Sequence, residues 1–263
     1  MTHAYTAEGK PQHFQTTKTG VNKGKLRPTT IRDIKKLNLR ASVTGITGVM
    51  DTGGGLANWM AKEAVSKFGV KVYEYLKPIE DGDYDGNTNG MCDYLTSNLG
   101  IDPEYKERDY AAEGSVIHDK IETWIKLGMG ETECPYCLAA KEIFEKYGIT
   151  NPIAEATFAT EDYGGAVDVY DKEQDIIIDW KTKDGNLLET KGKKFIYLTH
   201  AMQLYAYREG LGLTKNARLV NVFLSRTDAG TWCDYEHSPK EITKGGKLFE
   251  LCLQLFKVKN DVE

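Results

Sequence analysis

The spacing of apolar residues divides the chain into helical and strand-like stretches. Over about 103–127, apolar side chains recur three or four positions apart at Ile117, Ile121 and Ile125, which predicts an amphipathic helix. A shorter helix is predicted over 138–147, where the following Gly148 suits a left-handed C-cap. Similar spacing predicts further helices from Gly55 onward, over about 193–210 and over about 239–258.

In the middle of the chain, the apolar residues follow a different spacing. The runs PIAEATFAT, GGAVDVYD and QDIIIDWKTK are short, rich in β-branched and apolar residues, and separated by turn-forming residues. They predict three consecutive strands in a meander. The runs ARLVNVFLSR and GTWCDYEH predict two more strands. The expected fold class is therefore α+β, with a sheet flanked by helices.

The predicted elements leave the N-terminus outside the core. Residues 1–28 contain few large apolar side chains, so we expect a flexible basic arm. The remaining residues, 29–263, are predicted to form a single domain. Its N-terminal part, 29–150, is expected to be helical, and 151–263 should hold the sheet and the later helices. With 40% hydrophobic residues in 263, the chain can bury a sizeable core.

Charge is distributed unevenly along the chain. The net charge of −5 argues against a surface that binds nucleic acid all over, because phosphate binding depends on Lys and Arg. Between Lys18 and Arg40, however, Asp33 is the only acidic residue among many basic ones. By itself such a run is typical of a solvated surface segment, but beside a nucleic-acid site it could follow a phosphate backbone.

The five cysteines do not form the pattern of a secreted disulfide framework, and no apolar run is long enough for a signal peptide or a membrane span. We therefore expect a soluble protein of the cytoplasm. Cys134 and Cys137 have the spacing of a zinc knuckle, yet no second pair accompanies them. We expect two ordinary thiols there rather than zinc or an iron–sulfur cluster.

Charged residues inside apolar strands carry the candidate chemistry. Asp168 lies within GGAVDVY, and Asp179 and Lys181 lie within IIIDWKTK. Burying an unpaired charge costs several kcal/mol, so such carboxylates need a cation, a metal or many hydrogen bonds. Because side chains alternate along a strand, Asp179 and Lys181 should share one face. An isolated D-x-K is most often a plain ion pair, but Glu155 adds a third acid on the preceding predicted strand.

Five motifs in order give the chain a specific resemblance over about 42–207. It resembles the RecB-like exonuclease branch of the PD-(D/E)XK nuclease superfamily, although Val167 stands where the superfamily name has Pro. The segment ASVTGITGVM also resembles, more weakly, the N-terminal part of phage and mitochondrial genome maintenance exonucleases in that branch. The matching positions are Gly114 to His118, Glu155, Gly165 to Asp168, Asp179 to Lys181, and Gln203 with Tyr207.

The resemblance implies a restriction-endonuclease-like core and a role for each matched residue. His118, Asp168, Asp179 and the backbone carbonyl of Trp180 would bind Mg²⁺ or Mn²⁺, and Glu155 would serve a second ion or its water shell. Oxygen ligands suit these hard cations. Lys181 would hold water or balance developing negative charge. DNA contacts are expected from Gln203 and Tyr207, which could instead order the site. Lys183 is a further candidate DNA contact because it is a basic residue near the site.

The expected function is a metal-dependent DNA exonuclease in replication, recombination or repair, and a phage origin fits the resemblance. DNA is the expected partner, with recombination or replication proteins as further candidates and no membrane. The alternatives are a structure-specific or flap endonuclease of the same fold, and a DNA-binding module without catalysis. The sequence leaves open the polarity, the strand preference, RNA as substrate, the number of metal ions and the oligomeric state.

Overall fold

The computed structural model of the chain describes residues 3–50 and 110–262, which belong to one compact unit. The helix predicted from Gly55 lies outside the described residues, and so do the first positions of the helix predicted over 103–127. A single domain over 29–263 stays a prediction.

A mixed β-sheet forms the centre of the described part. Numbered along the described residues, the strands are β1 (Ala4–Tyr5), β2 (Phe14–Thr16), β3 (Leu26–Pro28), β4 (Arg40–Ser42), β5 (Ile153–Ala159), β6 (Tyr163–Asp171), β7 (Ile176–Lys183), β8 (Arg218–Ser225) and β9 (Trp232–Glu236). Strand β6 pairs antiparallel with both β5 and β7, which confirms the predicted meander. Strand β8 is parallel to β7 and antiparallel to β9. The order β1-β4-β6-β7-β8-β9 has β5 paired to β6, and β2 and β3 form a separate hairpin.

Helices cover both faces of the sheet, as the α+β prediction requires. Along the described residues they are α1 (Ile31–Leu37), α2 (Val43–Thr47), α3 (Tyr110–Lys126), α4 (Pro135–Tyr147), α5 (Leu198–Leu211) and α6 (Pro239–Asn260), with 3-10 turns at Gly48–Met50 and Gly192–Phe195. One face of the sheet carries Ile178 and Val222, packed with residues of α3 and α4 such as Ile121. The other face carries Ile177, packed with Met202 and other residues of α5 and α6.

The ends of the helices follow the local sequence. Helix α4 stops at Gly148, whose φ of 70° is the left-handed conformation that glycine adopts without strain. Helix α6 begins after Ser238, which forms a capping box with Glu241. Within the described residues, no helix is both long and apolar enough to cross a membrane.

The prediction of a flexible arm over residues 1–28 stays a prediction, but two residues of this segment belong to the sheet. Ala4 and Tyr5 are buried, and they pair as β1 with β4. A two-residue strand is too short to show a period of alternation, which is why the pattern did not reveal it. The predicted helical part, 29–150, likewise includes one strand, because β4 joins the sheet parallel to β6.

Candidate active site

Asp168 and Asp179 lie at a split between β6 and β7. The last backbone pair of the β6–β7 ladder is Val169 with Ile178, so the two aspartates are the next residues opposite each other. There the ladder stops. The backbone N–H of Trp180 donates instead to Oδ2 of Asp168, at 2.7 Å. A side chain thus takes the place of a backbone partner, and both carboxylates lie where the strands separate.

Glu155 extends this row of acids onto β5. It lies opposite Asp168, between pairs in which Ala154 and Ala156 take part. Its φ of 51° is left-handed, which costs an ordinary residue roughly 1–3 kcal/mol. Ala154 packs with the α3–α4 face and Ala156 with the α5–α6 face, although strict alternation would place both on the same face. Strand β5 therefore changes face at Glu155, and the strained residue is the acid itself.

Helix α3 brings His118 to the row of acids. A Cβ on Gly114 would lie 3.1 Å from Oγ1 of Thr182, so a glycine lets the helix approach the end of β7 closely. One turn later, Nδ1 of His118 lies 3.5 Å from Oδ1 of Asp168. The Gly114 to His118 spacing therefore combines a close approach with an imidazole aimed at a carboxylate.

Helix α5 reaches the site from the opposite face. The side-chain amide of Gln203 donates to Oδ1 of Asp179 at 3.1 Å and to the hydroxyl of Tyr207 at 2.8 Å. Its carbonyl oxygen accepts from Nζ of Lys181 at 3.4 Å. Tyr207 is 5% exposed. These contacts show Gln203 ordering the acid and the lysine, whereas DNA contact by Gln203 and Tyr207 stays a prediction.

Asp179 has a hydrogen-bond donor on each side. Its Oδ2 lies 2.6 Å from the ammonium of Lys181 and accepts from the side-chain amide of Asn221, also at 2.6 Å. Its Oδ1 accepts from Gln203. The side chain is only 2% exposed. A buried carboxylate with this many donors is held in one orientation.

Burial and charge shift the pKa values of the site in opposite directions. Burial, followed by the charge of Asp168, raises the pKa of Glu155 to about 7. Burial also raises the pKa of Asp179, against the ammonium of Lys181. For Asp168, burial works against ionisation, but the hydrogen bond and charge of His118 keep its pKa below the ordinary value. Glu155 and Asp179 are therefore harder to ionise than a free carboxyl, and a nearby cation would favour their charged forms.

A cavity of about 900 Å³ opens above these residues. His118, Glu155, Asp168 and Lys181 line it, whereas Asp179 is buried and does not line it. The N-terminal segment supplies further walls, which the sequence pattern does not predict. Those walls are His3, Tyr5, Pro11 and His13.

The donor chemistry of the site fits a hard divalent cation, because it combines carboxylate oxygens with one imidazole. In their present positions, however, no three His, Cys, Asp or Glu side chains of residues 3–50 and 110–262 lie close enough together to hold an ion. Asp179 is also already paired, because the ammonium of Lys181 lies 2.6 Å from its Oδ2. Metal binding by His118, Asp168, Asp179, Glu155 and the Trp180 carbonyl therefore stays a prediction.

Lys183, a predicted DNA contact, lies beside the cavity rather than in it. Its ammonium lies 5.5 Å from the ring centroid of Phe195 and 5.4 Å from that of Tyr197. Burial, with nearby positive charges, lowers the pKa of Lys183. DNA contact by Lys183 stays a prediction.

Cys134 and Cys137 lie at the first turn of α4. The thiol of Cys137 is buried and donates to the backbone carbonyl of Lys120 in α3, at 3.6 Å. Both cysteines are free thiols. The expectation that they are ordinary thiols stays a prediction.

Sequence reasoning missed Asn221, which touches Asp179 directly. The sequence does mark this residue, because Asn221 is the one uncharged polar residue in the apolar centre LVNVFL of β8. A polar residue in such a run needs a buried partner, and the partner here is a site carboxylate.

No protein-family description matches the chain, and no curated protein matches it. Solved structures give weak likenesses. A candidate exonuclease from Eubacterium rectale has a TM-score of 0.37 at 13% identity, over 62% of this chain and 73% of that one. A phage-related exonuclease from Haemophilus somnus 129PT has a TM-score of 0.33 at 10% identity, over 65% and 81%. The protein SSO0001 has a TM-score of 0.32 at 16% identity, over 72% and 84%. Likeness at this level defines no activity.

Proposed function

We propose that this chain is a divalent-metal-dependent deoxyribonuclease of the RecB-like branch of the PD-(D/E)XK superfamily, acting on DNA ends. One observation carries the proposal. Glu155, Asp168 and Asp179 form a single row across three strands at the point where β6 and β7 separate, with Lys181 against the row. A sheet does not need three acids in one such row, because each one costs desolvation energy.

Three residues of the site have different roles in the proposed hydrolysis. Lys181 places an ammonium on the cavity wall, where negative charge grows on a phosphate in the transition state. Gln203 holds both Lys181 and Asp179, so it fixes the geometry between them. Burial raises the pKa of Glu155 to about 7 in the metal-free site, and a cation beside it would lower that pKa and favour the ionised carboxylate.

A Mg²⁺ or Mn²⁺ ion bound at this site would lower the pKa of water and stabilise negative charge on the phosphate. We assign His118, Asp168, Asp179 and the Trp180 carbonyl to its binding, and Glu155 to a second ion or its water shell. Loading would require the Lys181 ammonium to leave Asp179. That movement is open to a long side chain that is 27% exposed at the cavity wall.

DNA as the substrate is supported by the motif resemblance and by basic residues of the N-terminal segment. The hairpin of β2 and β3 carries Lys25 and Arg27, and the N-terminal segment before it lines the cavity. Action on ends, and a place in replication, recombination or repair, rest on the resemblance alone. An endonuclease with the same residues is the alternative, and a closed circular substrate separates the two.

The test compares linear DNA labelled at the 5′ or 3′ end with closed circular DNA labelled internally, each single- and double-stranded. Wild type would be assayed with Mn²⁺, Mg²⁺ or EDTA beside Asp179→Asn and Lys181→Ala. Asp162→Asn is the matched control, because Asp162 is an acid of the same sheet region that pairs with Lys257, outside the cavity.

We expect metal-dependent release of label from linear DNA by wild type and Asp162→Asn, and losses of at least about 10³-fold in the two site variants. Cleavage of closed circles would replace the exonuclease by the endonuclease. If a folded wild type cuts neither DNA nor RNA with either metal, the nuclease proposal is rejected. The non-catalytic DNA-binding module is then the preferred function.

A further inference from the structure

A buried amide lies directly beside the central carboxylate. Asn221 is fully buried in β8 and is the register partner of Asp179 in the parallel β7–β8 ladder. Register partners in a parallel ladder share a face, so the two side chains lie side by side. The amide of Asn221 donates to Oδ2 of Asp179 at 2.6 Å.

The other end of the amide is also engaged. Oδ1 of Asn221 lies 2.7 Å from Nε2 of His237. A carbonyl oxygen can only accept, so Nε2 of His237 must carry the hydrogen. Since an ionised carboxylate also only accepts, the contacts have one direction: His237 donates to Asn221, and Asn221 donates to Asp179. The amide of Asn221 cannot rotate without breaking both bonds.

His237 makes its side-chain hydrogen bond only to Asn221 among the described residues. It is 6% exposed, directly after β9, and its backbone N–H donates to the carbonyl of Leu219 at 2.9 Å. Its Nδ1 is buried and has no partner in the described part of the chain. Burial lowers the pKa of His237, so the ring is neutral and Nδ1 is a bare acceptor. An unsatisfied buried nitrogen costs stability, so fold stability does not explain this histidine.

Two donors share Oδ2 of Asp179, and they differ in how far their side chains can move. Lys181 is 27% exposed at the cavity wall, whereas Asn221 is fully buried between strands. When the ammonium of Lys181 turns toward a phosphate, Asn221 would remain as the fixed donor on that oxygen. Gln203 cannot replace it, because Gln203 donates to Oδ1.

We propose that Asn221 and His237 are positioning residues, which hold the carboxylate of Asp179 in the orientation needed to bind a divalent cation. This inference rests on the proposed function, since it takes Asp179 as a metal ligand. It adds two residues to the site, from β8 and from the end of β9, that belong to none of the five motifs. Partners that orient a ligating carboxylate typically change metal affinity by about 10–100-fold when removed.

The experiment measures Mn²⁺ binding by calorimetry on DNA-free protein, thermal unfolding without metal, and kcat and KM on linear DNA. Asn221→Leu removes both hydrogen bonds at similar volume. His237→Leu removes the donor to Asn221, and His237→Gln keeps an amide donor in its place. Ser225→Ala is the matched control, because Ser225 is a fully buried polar residue of the same strand that bonds only loop backbone around Gly185 and Asp228.

We expect Asn221→Leu and His237→Leu to weaken Mn²⁺ binding about 10–100-fold. His237→Gln should stay within about threefold of wild type, and Ser225→Ala should lower the unfolding temperature without changing the Mn²⁺ dissociation constant. At saturating Mn²⁺, the KM for DNA should be unchanged in all four variants.

The inference is overturned if wild type binds Mn²⁺ and cuts DNA while the two leucine variants bind Mn²⁺ as tightly as Ser225→Ala does. If Asn221→Leu does not fold, the comparison of His237→Leu with His237→Gln decides the question in its place. A wild type that neither binds Mn²⁺ nor cuts DNA instead removes the proposed function, and the positioning role with it.

Discussion

Two aspartates on β6, three residues apart, show two ways of burying a carboxylate. Asp171 is fully buried and accepts from four backbone N–H groups, those of Thr150, Asn151, Glu173 and Gln174. Asp168 accepts from one backbone N–H, that of Trp180, and otherwise meets the side chain of His118. In both cases the surroundings overcome burial and keep the pKa below the ordinary value.

The difference between them lies in which donors can move. Backbone N–H groups are fixed by the chain. Asp171 therefore holds the loop before β5 against the β6–β7 turn and has no donor that can be exchanged. Asp168 has a side-chain partner as well, and that partner can exchange for a cation or a substrate. A buried carboxylate that is satisfied by backbone is structural, whereas one that meets side chains at a cavity is available for chemistry.

The largest effect that tests this comparison is the loss of activity in Asp168→Asn. The amide removes the charge that a cation needs, so DNA cleavage should fall at least about 10³-fold. The remaining oxygen can still accept from Trp180, so the free energy of unfolding should change by no more than about 1 kcal/mol. Cleavage rates and urea unfolding, measured on the same preparations, check both parts. A variant that is strongly destabilised would place Asp168 in the same class as Asp171.

Asp171→Asn should have the opposite profile. An amide offers one acceptor oxygen where the carboxylate offers two, so its NH₂ group would face two backbone donors. Leaving those donors unsatisfied costs about 3 kcal/mol of unfolding free energy. Cleavage per folded molecule should remain within about twofold of wild type, because Asp171 does not line the cavity. Urea unfolding and active-site-normalised rates are the measurements, and a loss of activity at unchanged stability would contradict the distinction.

The sheet and most helices follow from local pattern. The strands predicted in the runs PIAEATFAT, GGAVDVYD and QDIIIDWKTK are found as β5, β6 and β7, because alternation and apolar runs report burial directly. The pattern could not find β1 or β4, which have two and three residues, nor the left-handed φ of Glu155. Those features depend on contacts across the sheet rather than on neighbours in the chain.

The candidate site divides in the same way. The matched motifs predicted Lys181, Asp179 and Gln203, and the structure brings these three into contact. Asn221 and His237 carry no motif, since their roles come from register and from the position where β9 ends. A polar residue in an apolar strand marks that a partner exists, but only the topology identifies the partner.

Glu241, in the first turn of α6, is a further carboxylate with a structural role, and it is less buried than Asp171. We expect the smallest effect at this residue. It accepts from the backbone and hydroxyl of Ser238 and from the hydroxyl of Tyr235, at 2.7–2.8 Å. Burial works to raise its pKa, but these hydrogen bonds lower it from 4.5 to about 2.

Because the folded-state pKa of Glu241 is the lower one, its contribution to stability is present above pH 4.5 and is lost as the pH falls toward 2. Glu241→Gln should therefore cost roughly 1 kcal/mol at pH 7, after allowance for solvent screening, and close to nothing near pH 2. Urea midpoints of wild type and variant across this range measure the difference. If the difference between the two midpoints stays constant with pH, the hydrogen bonds to Glu241 do not depend on its charge. One backbone N–H and two hydroxyls near the surface would then not fix a carboxylate as the four backbone donors of Asp171 do.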